Sequence, residues 1–253
     1  MRVLAVAQNT LRESVRDRVL YVLLFFAAAT ILGSKAVGWI SIGQDIKIVK
    51  DFSLASLSLF GVLVAIFVGT NLVYKEIDKK TLYTILARPM HRWEFVLGKF
   101  CGLLALLALV TLGMACVSVI YVYILGGTVT VTYGYAVILI FAKLAVVTAL
   151  ALTLSTVTAP VVGAIMAFCL YLLGHATGIF LDLPPQLKGS FTETLFRVLY
   201  YVIPNLSNFD IRAEAANDVP VAFGYVFWAL GYGLGWTCFF LILAVLAFED
   251  KDV

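Results

Sequence analysis

Long apolar runs, broken by short charged ones, set the pattern of this chain. Six of them have the length of a membrane-crossing helix: Val19–Ile40, Phe52–Val73, Phe95–Leu125, Val131–Leu154, Pro160–Leu181 and Val221–Phe248. A helix of about 20 apolar residues crosses the hydrocarbon layer with every backbone group bonded internally. The third run exceeds that length and predicts a helix that tilts or extends past the bilayer. No run shows the strict alternation of a barrel wall. The pattern predicts an all-α polytopic membrane protein with six transmembrane helices. No small-residue cleavage site follows the first run, which is expected to stay as a span.

Two amphipathic stretches interrupt this pattern. Before the first span, Leu4, Ala7, Leu11 and Val15 share one helical face, while Arg2, Asn9, Arg12, Glu13, Arg16 and Asp17 take the rest. Residues 1–18 are thus expected to form a helix in the interface, set apart from the span domain of 19–253. A solvated start to the first span is the plainer alternative. Between spans two and three, Leu82, Ile85 and Leu86 follow helical spacing, and Lys79, Lys80, Thr84 and Arg88 point elsewhere. Pro89 stops that helix, because the residue before a proline disfavours the helical region. Trp93 suits the interface where the next span begins. A short lateral helix near residues 76–89 is therefore expected. A simple topology signal would explain its charge but not its apolar face or its proline stop.

Composition agrees with the membrane class. Hydrophobic residues make up 62% and charged residues 13%, and mean hydropathy is +1.02; a soluble domain carries about 25% charge. The basic residues flank apolar spans, so nucleic acid is not the expected partner. Six spans put both ends on one side. Arg2, Arg12, Arg16, Arg18, Lys251 and the loop's Lys75, Lys79, Lys80, Arg88, Arg92 and Lys99 lie there, eleven in all. Lys35, Lys47, Lys50, Lys188, Arg197 and Arg212, six in all, lie on the other. The richer side is expected to be cytoplasmic.

The outer segment, about 183–220, opens with Pro184-Pro185, which breaks the fifth helix. Phe191, Leu195, Val198, Leu199 and Val202 then make an apolar face, with Glu193 and Arg197 opposite. This is too short to span and predicts a re-entrant or an interfacial helix; both fit. Asn205-Leu206-Ser207 matches a glycosylation tripeptide, which is common by chance.

Small residues let membrane helices approach closely. Gly61, Ala65 and Gly69 form such a stripe, and Gly174/Gly178 and Gly231/Gly235 repeat the spacing. Packing within one chain is the expectation for all three, with a dimer seam as the alternative. Pro160 fits the first turn of the fifth helix. Cys101, Cys116, Cys169 and Cys238 lie inside spans, form no CxxC pair, and are expected to be small core residues. His91 and His175 are the only histidines, so a His-based metal cluster is not expected. Lys143 sits mid-span, where a charge costs about 2.5–3.5 kcal/mol or more. It contacts an anionic substrate group, or it is satisfied by a cavity or a carbonyl. No other span carries a mid-span carboxylate, which argues against a proton-coupled carrier. No G-x-x-x-x-G-K-[ST] occurs, and no nucleophile–base or paired-carboxylate constellation. Intrinsic catalysis is not expected.

Glu76, Lys80-Thr81-Leu82, Leu86-Ala87-Arg88-Pro89, Arg92, Glu94 and Gly98-Lys99 resemble the "E…TL…LARP…R.E…GK" pattern of type-2 ABC exporter permeases. The N-terminal helix, the six spans, Leu199–Arg212 and the charged tail Phe248–Asp252 extend the resemblance. Asp78-Lys79-Lys80 departs from it, where many members have a glycine before the threonine. The resemblance implies a coupling helix that docks in a separate ATP-binding cassette ATPase. Glu76, Lys79, Lys80, Thr81, Leu82, Tyr83, Ile85, Leu86, Arg88 and Pro89 are its docking residues. It implies ATP and Mg on that partner and none on this chain, a second permease chain, and a bacterial inner membrane. Export is the implied direction, and an extracytoplasmic accessory protein is compatible with it. Lys143, His175, Tyr200, Tyr201, Pro204 and Asn205 become candidates for the substrate path or outer gate. Two other classes fit the residues: a non-transporting subunit that relays ATPase motion outward, and an ATP-independent secondary carrier.

Overall fold

A computed structural model describes residues 2–38, 45–78, 92–177, 198 and 200–249. In chain order they form α1 (Arg2–Val15), α2 (Arg18–Gly38), α3 (Asp45–Asp78), α4 (Arg92–Ile124), α5 (Val131–Val157) and α6 (Pro160–Ala176). A 3-10 turn (Leu206–Phe209), α7 (Arg212–Ala216) and α8 (Phe223–Glu249) follow. No strand occurs among the described residues. Helices α2, α3, α4, α5 and α8 are long and apolar enough to cross a membrane. The fifth expected span is α6, with 17 residues, the low end of the range of about 17–25 for a spanning helix. Its expected continuation to Leu181 lies outside the described residues. The all-α polytopic architecture stands.

Helix boundaries differ most at the second span. Helix α3 runs for 34 residues and α4 for 33, each about 50 Å at 1.5 Å per residue. Both outreach the ~30 Å hydrocarbon layer. The expected start of the second span at Phe52 is too late, because Asp45–Asp51 is helical too. Two of its charges, Lys50 and Asp51, meet Asp218 and Arg212 of the outer segment. Helix α4 ends in a Schellman motif. Gly126, at φ +80°, donates to the Tyr123 carbonyl, and Gly127 donates to the Val122 carbonyl. That geometry selects glycine at the left-handed position. Pro160 sits in the first turn of α6, as expected.

Helix α3 is central, packed by α2, α4, α5 and α6, while α8 lies along α5. The stripe of Gly61, Ala65 and Gly69 is why α3 and α5 come so close. A methyl group on Gly61 would fall 2.8 Å from Leu144, and one on Gly69 3.1 Å from Ala151. Packing within the chain is therefore correct for this stripe. It is wrong for Gly231 and Gly235, which have nothing within 4 Å of a Cβ and face outward on α8. Hydroxyls tie the helices across: Thr30 to Ser56 (2.9 Å), Tyr121 to the Leu32 carbonyl (2.9 Å), Thr153 to the Phe240 carbonyl (2.8 Å), and Ser118 with Tyr133. Such bonds contribute roughly 0.6 kcal/mol each in a membrane.

The cysteines correct another expectation. Cys101, Cys116, Cys169 and Cys238 are all exposed on helix surfaces and free. Lipid tails are as apolar as the protein interior, so nothing drives a thiol inward.

Candidate functional site

Continuous helix leads into and out of the charged loop. Helix α3 carries the chain in through Glu76, whose backbone is helical, and α4 carries it out from Arg92. Lys79, Lys80, Thr81, Leu82, Tyr83, Ile85, Leu86, Arg88 and Pro89 lie outside the described residues. What surrounds the exit is described. Helix α1 lies across the first turns of α4, where two glycines bring the backbones into contact. A methyl on Gly98 would fall 2.6 Å from Val6 Cβ, and one on Gly102 2.6 Å from the Ala7 carbonyl oxygen. Lys99, fully buried, approaches Glu13 at 3.9 Å and lies over the Phe95 ring at 5.6 Å. Phe248 of α8 stacks on Phe95 at 5.8 Å. Residues of the motif's end, Gly98 and Lys99, thus join α1 to α4.

The face of α1 that packs is not the one the pattern selects. Thr10 and Ser14 are buried against α4, with Val6 half-buried beside them, whereas Leu4 is 76% exposed. A groove floored by glycines takes small residues, and leucine is left for the membrane interface. The Thr10 and Ser14 hydroxyls have no hydrogen-bond partner among the described residues.

Lys143 is 1% exposed and donates to Ser58 Oγ of α3 at 2.6 Å. Tyr171 of α6 interacts with the same Ser58. His175, half-buried one turn on, sets its Nδ1 3.3 Å from the Tyr171 carbonyl, with the two rings 4.6 Å apart. The carboxylate missing from the spans comes from the outer segment. Asp210 lies close enough for Lys143 to act on it, and it is bridged by Arg212, whose Nε and Nη2 donate at 2.7 and 2.8 Å. Burial pushes the Asp210 carboxyl up, but the Arg212 hydrogen bonds and the charges of Arg212 and Lys143 outweigh it and hold it below the usual value. The same bridge raises Arg212. Lys143 and His175 are therefore brought together, in one polar cluster of α3, α5, α6 and the outer segment.

The described end of the outer segment, residues 203–216, packs into the bundle. Leu206, Phe209, Ile211, Ala215 and Ala216 are buried. The face expected from the pattern does not do this: Val198 and Val202 are exposed, and Phe191, Leu195 and Leu199 lie outside the described residues. Of the other candidates, Tyr200 and Tyr201 pack edge to face at 5.4 Å. Asn205 caps the 3-10 turn by accepting from the Ser207 N–H at 3.1 Å, and its own N–H donates to the Tyr232 hydroxyl at 2.7 Å. Buried Pro204 meets α6 at Gly174, where a methyl would fall 2.8 Å from the Pro204 carbonyl oxygen. Gly174→Val is expected to displace the segment and cost about 1–3 kcal/mol by overpacking. A thermal-unfolding midpoint in detergent unchanged from wild type would contradict that packing.

Sequence reasoning missed Ser58, Asp210 and the pairing of Lys50 with Asp218. The available signal was Asp210-Ile211-Arg212, an opposite-charge pair inside an apolar stretch. Arg212 was legible only as an outer-side charge. No three His, Cys, Asp or Glu side chains among the described residues are placed to hold a metal ion.

A model of the ABC-2 family transporter proteins matches residues 4–253. No curated protein matches the chain. The match takes in α1, every apolar helix, the charged loop and the outer segment, so this chain belongs to the ABC-2 transporter family, as a multi-pass membrane permease.

Proposed function

We propose that this permease is one transmembrane half of an ATP-driven exporter, worked by a separate ATP-binding cassette ATPase through the loop at residues 76–89. The observation that carries the reading is the continuity of α3 and α4. Two rods of 34 and 33 residues enter and leave that loop, so a displacement of the loop moves both spans without a joint to absorb it. The lock of α1 onto α4 through Gly98, Gly102 and Lys99 stiffens the exit rod further. ATP and Mg belong to the partner, whose closure displaces the loop. Two permease chains complete the transporter, in a bacterial inner membrane with the loop and both chain ends cytoplasmic. Lys143, His175 and the Asp210–Arg212 pair lie between the spans that would move, where the ammonium of Lys143 is placed to meet a bound anionic group. Nucleotide shifts such an equilibrium through its different affinity for the two states.

The docking test uses Leu82→Asp together with Leu86→Asp. Charge on the apolar face of the docking helix is expected to lower ATPase co-purification from membranes at least tenfold. Undiminished capture of the ATPase would remove the loop from the interface.

A further inference from the structure

The outer end of α3 holds the outer segment by charge. Lys50, fully buried, donates to both carboxylate oxygens of Asp218 at 2.7 Å. Thr130 donates to the same carboxylate at 3.0 Å, and Thr132 donates to the neighbouring Val219 carbonyl at 3.1 Å. Asp218 adopts φ +57°, a conformation a non-glycine side chain rarely takes. A backbone held there is over-determined by its surroundings, and the Lys50 and Thr130 bonds supply that constraint. Asp51, the next residue of α3, adds its charge to those acting on Arg212. Helix α3 also packs directly on α7. Adjacent charges of opposite sign on one rod therefore face complementary charges at the two ends of residues 212–218.

We propose that the Lys50–Asp218 pair is a clasp through which α3 carries displacement of the loop at its far end into the outer segment. The clasp rests on the coupling reading above and specifies its outer terminus. Helix α3 is unbroken from Asp45 to Asp78, about 50 Å at 1.5 Å per residue. One end meets the loop and the other grips the segment folded over the polar cluster. Because Lys50 is buried and donates to both oxygens, the segment follows α3 rather than sliding over it. Asp218 keeps 37% of its exposure, but a charge-assisted bond to both of its oxygens from a buried lysine has one arrangement, where an apolar contact has many.

The test uses the full permease with its ATPase. The four native cysteines are replaced by serine, and spin labels are placed at Ala213, exposed on α7, and at Tyr123, exposed near the outer end of α4. The label-to-label distance is read without nucleotide and with ATP trapped. In the parent protein the distance is expected to change on trapping. Lys50→Met is expected to cut that change by half or more, with ATPase capture unaltered, and Lys50→Arg to restore it. Asp218→Asn, which tolerates the left-handed backbone and removes the charge, is expected to act as Lys50→Met does, and it carries the test should Lys50→Met fail to fold. A pair that only stabilises the fold would lower the unfolding midpoint and leave the nucleotide response whole. That outcome, or a parent protein whose outer label ignores nucleotide, overturns the clasp alone. A parent chain that captures no ATPase overturns the coupling reading and the clasp together.

Discussion

Replacing Gly102 with leucine is expected to unseat α1 from α4. At that crossing the nearest neighbour of an added Cβ is a backbone atom, the Ala7 carbonyl oxygen at 2.6 Å, with Thr10 Cβ equally close. A side chain can turn away, but a backbone carbonyl moves only if the helix moves. Gly98, one turn earlier, is pressed by Val6 in the same way, so α1 cannot pivot about the other contact to make room. Overpacking of this kind costs about 1–3 kcal/mol. Displacing α1 also takes Glu13 from Lys99, a lysine buried at the exit from the charged loop. The expected result is a lower unfolding midpoint in detergent and a loss of ATPase capture, although Gly102 lies outside the loop. Gly102→Ala should fall between wild type and leucine. Equal midpoints for all three proteins would show that α1 does not cross α4 there. A lowered midpoint with full ATPase capture would separate α1 from docking.

Span existence was legible because the membrane imposes one rule on every crossing: about 20 apolar residues, internally bonded. Span ends were less legible, since a charge ends an apolar run without ending a helix. Lys50 and Asp51 read as outer loop, yet they are helical because Asp218 and Arg212 meet them from well over a hundred residues away. The packed face of α1 was misjudged for a related reason. Hydrophobicity selects Leu4 and Val15, but in a bilayer both faces are well solvated, and shape decides which one packs. Gly98 and Gly102 offered that shape, but Gly98 was read only as the end of the family pattern and Gly102 drew no reading. The exposed cysteines follow the same logic. Lys143 was legible as costly and His175 as polar; their shared surroundings were not, because Asp210 and Arg212 reach them only through the fold of the outer segment. The family was legible through the loop's pattern, and the family match bears that out, whereas the loop's own helix lies outside the described residues.

Arg212→Met should be the most damaging single change in the polar cluster, more so than Lys143→Met. Arg212 holds both oxygens of Asp210, at 2.7 and 2.8 Å, and its own N–H adds a third contact at 3.3 Å. Removing the guanidinium leaves a half-buried carboxylate without its main partner. Removing Lys143 leaves Asp210 still bridged, and leaves Ser58 a hydroxyl that can turn to a carbonyl of its own helix. Breaking a fully buried ion pair costs about 3–5 kcal/mol. Here the side chains keep 32% and 21% of their exposure, so about 1–3 kcal/mol is the expected cost after allowance for solvent screening. The sign of the pH dependence separates this cause from simple loss of packing. In wild type the Asp210 carboxyl is held below its ordinary 3.8. Its contribution is complete above that value and is lost as pH falls through the lower, folded value. Without the Arg212 side chain, burial is the largest remaining influence and pushes the carboxyl up, opposed by Lys143 and by the backbone N–H at position 212. The folded protein then carries a poorly compensated charge at neutral pH and sheds the penalty as acid protonates it. Between pH 7 and about pH 5, wild-type stability should be flat in this group while Arg212→Met gains stability. Asp210→Asn combined with Arg212→Met should recover part of the loss at pH 7 and remove the gain in acid. A variant whose deficit is the same at both pH values would show that Arg212 acts through its packing alone.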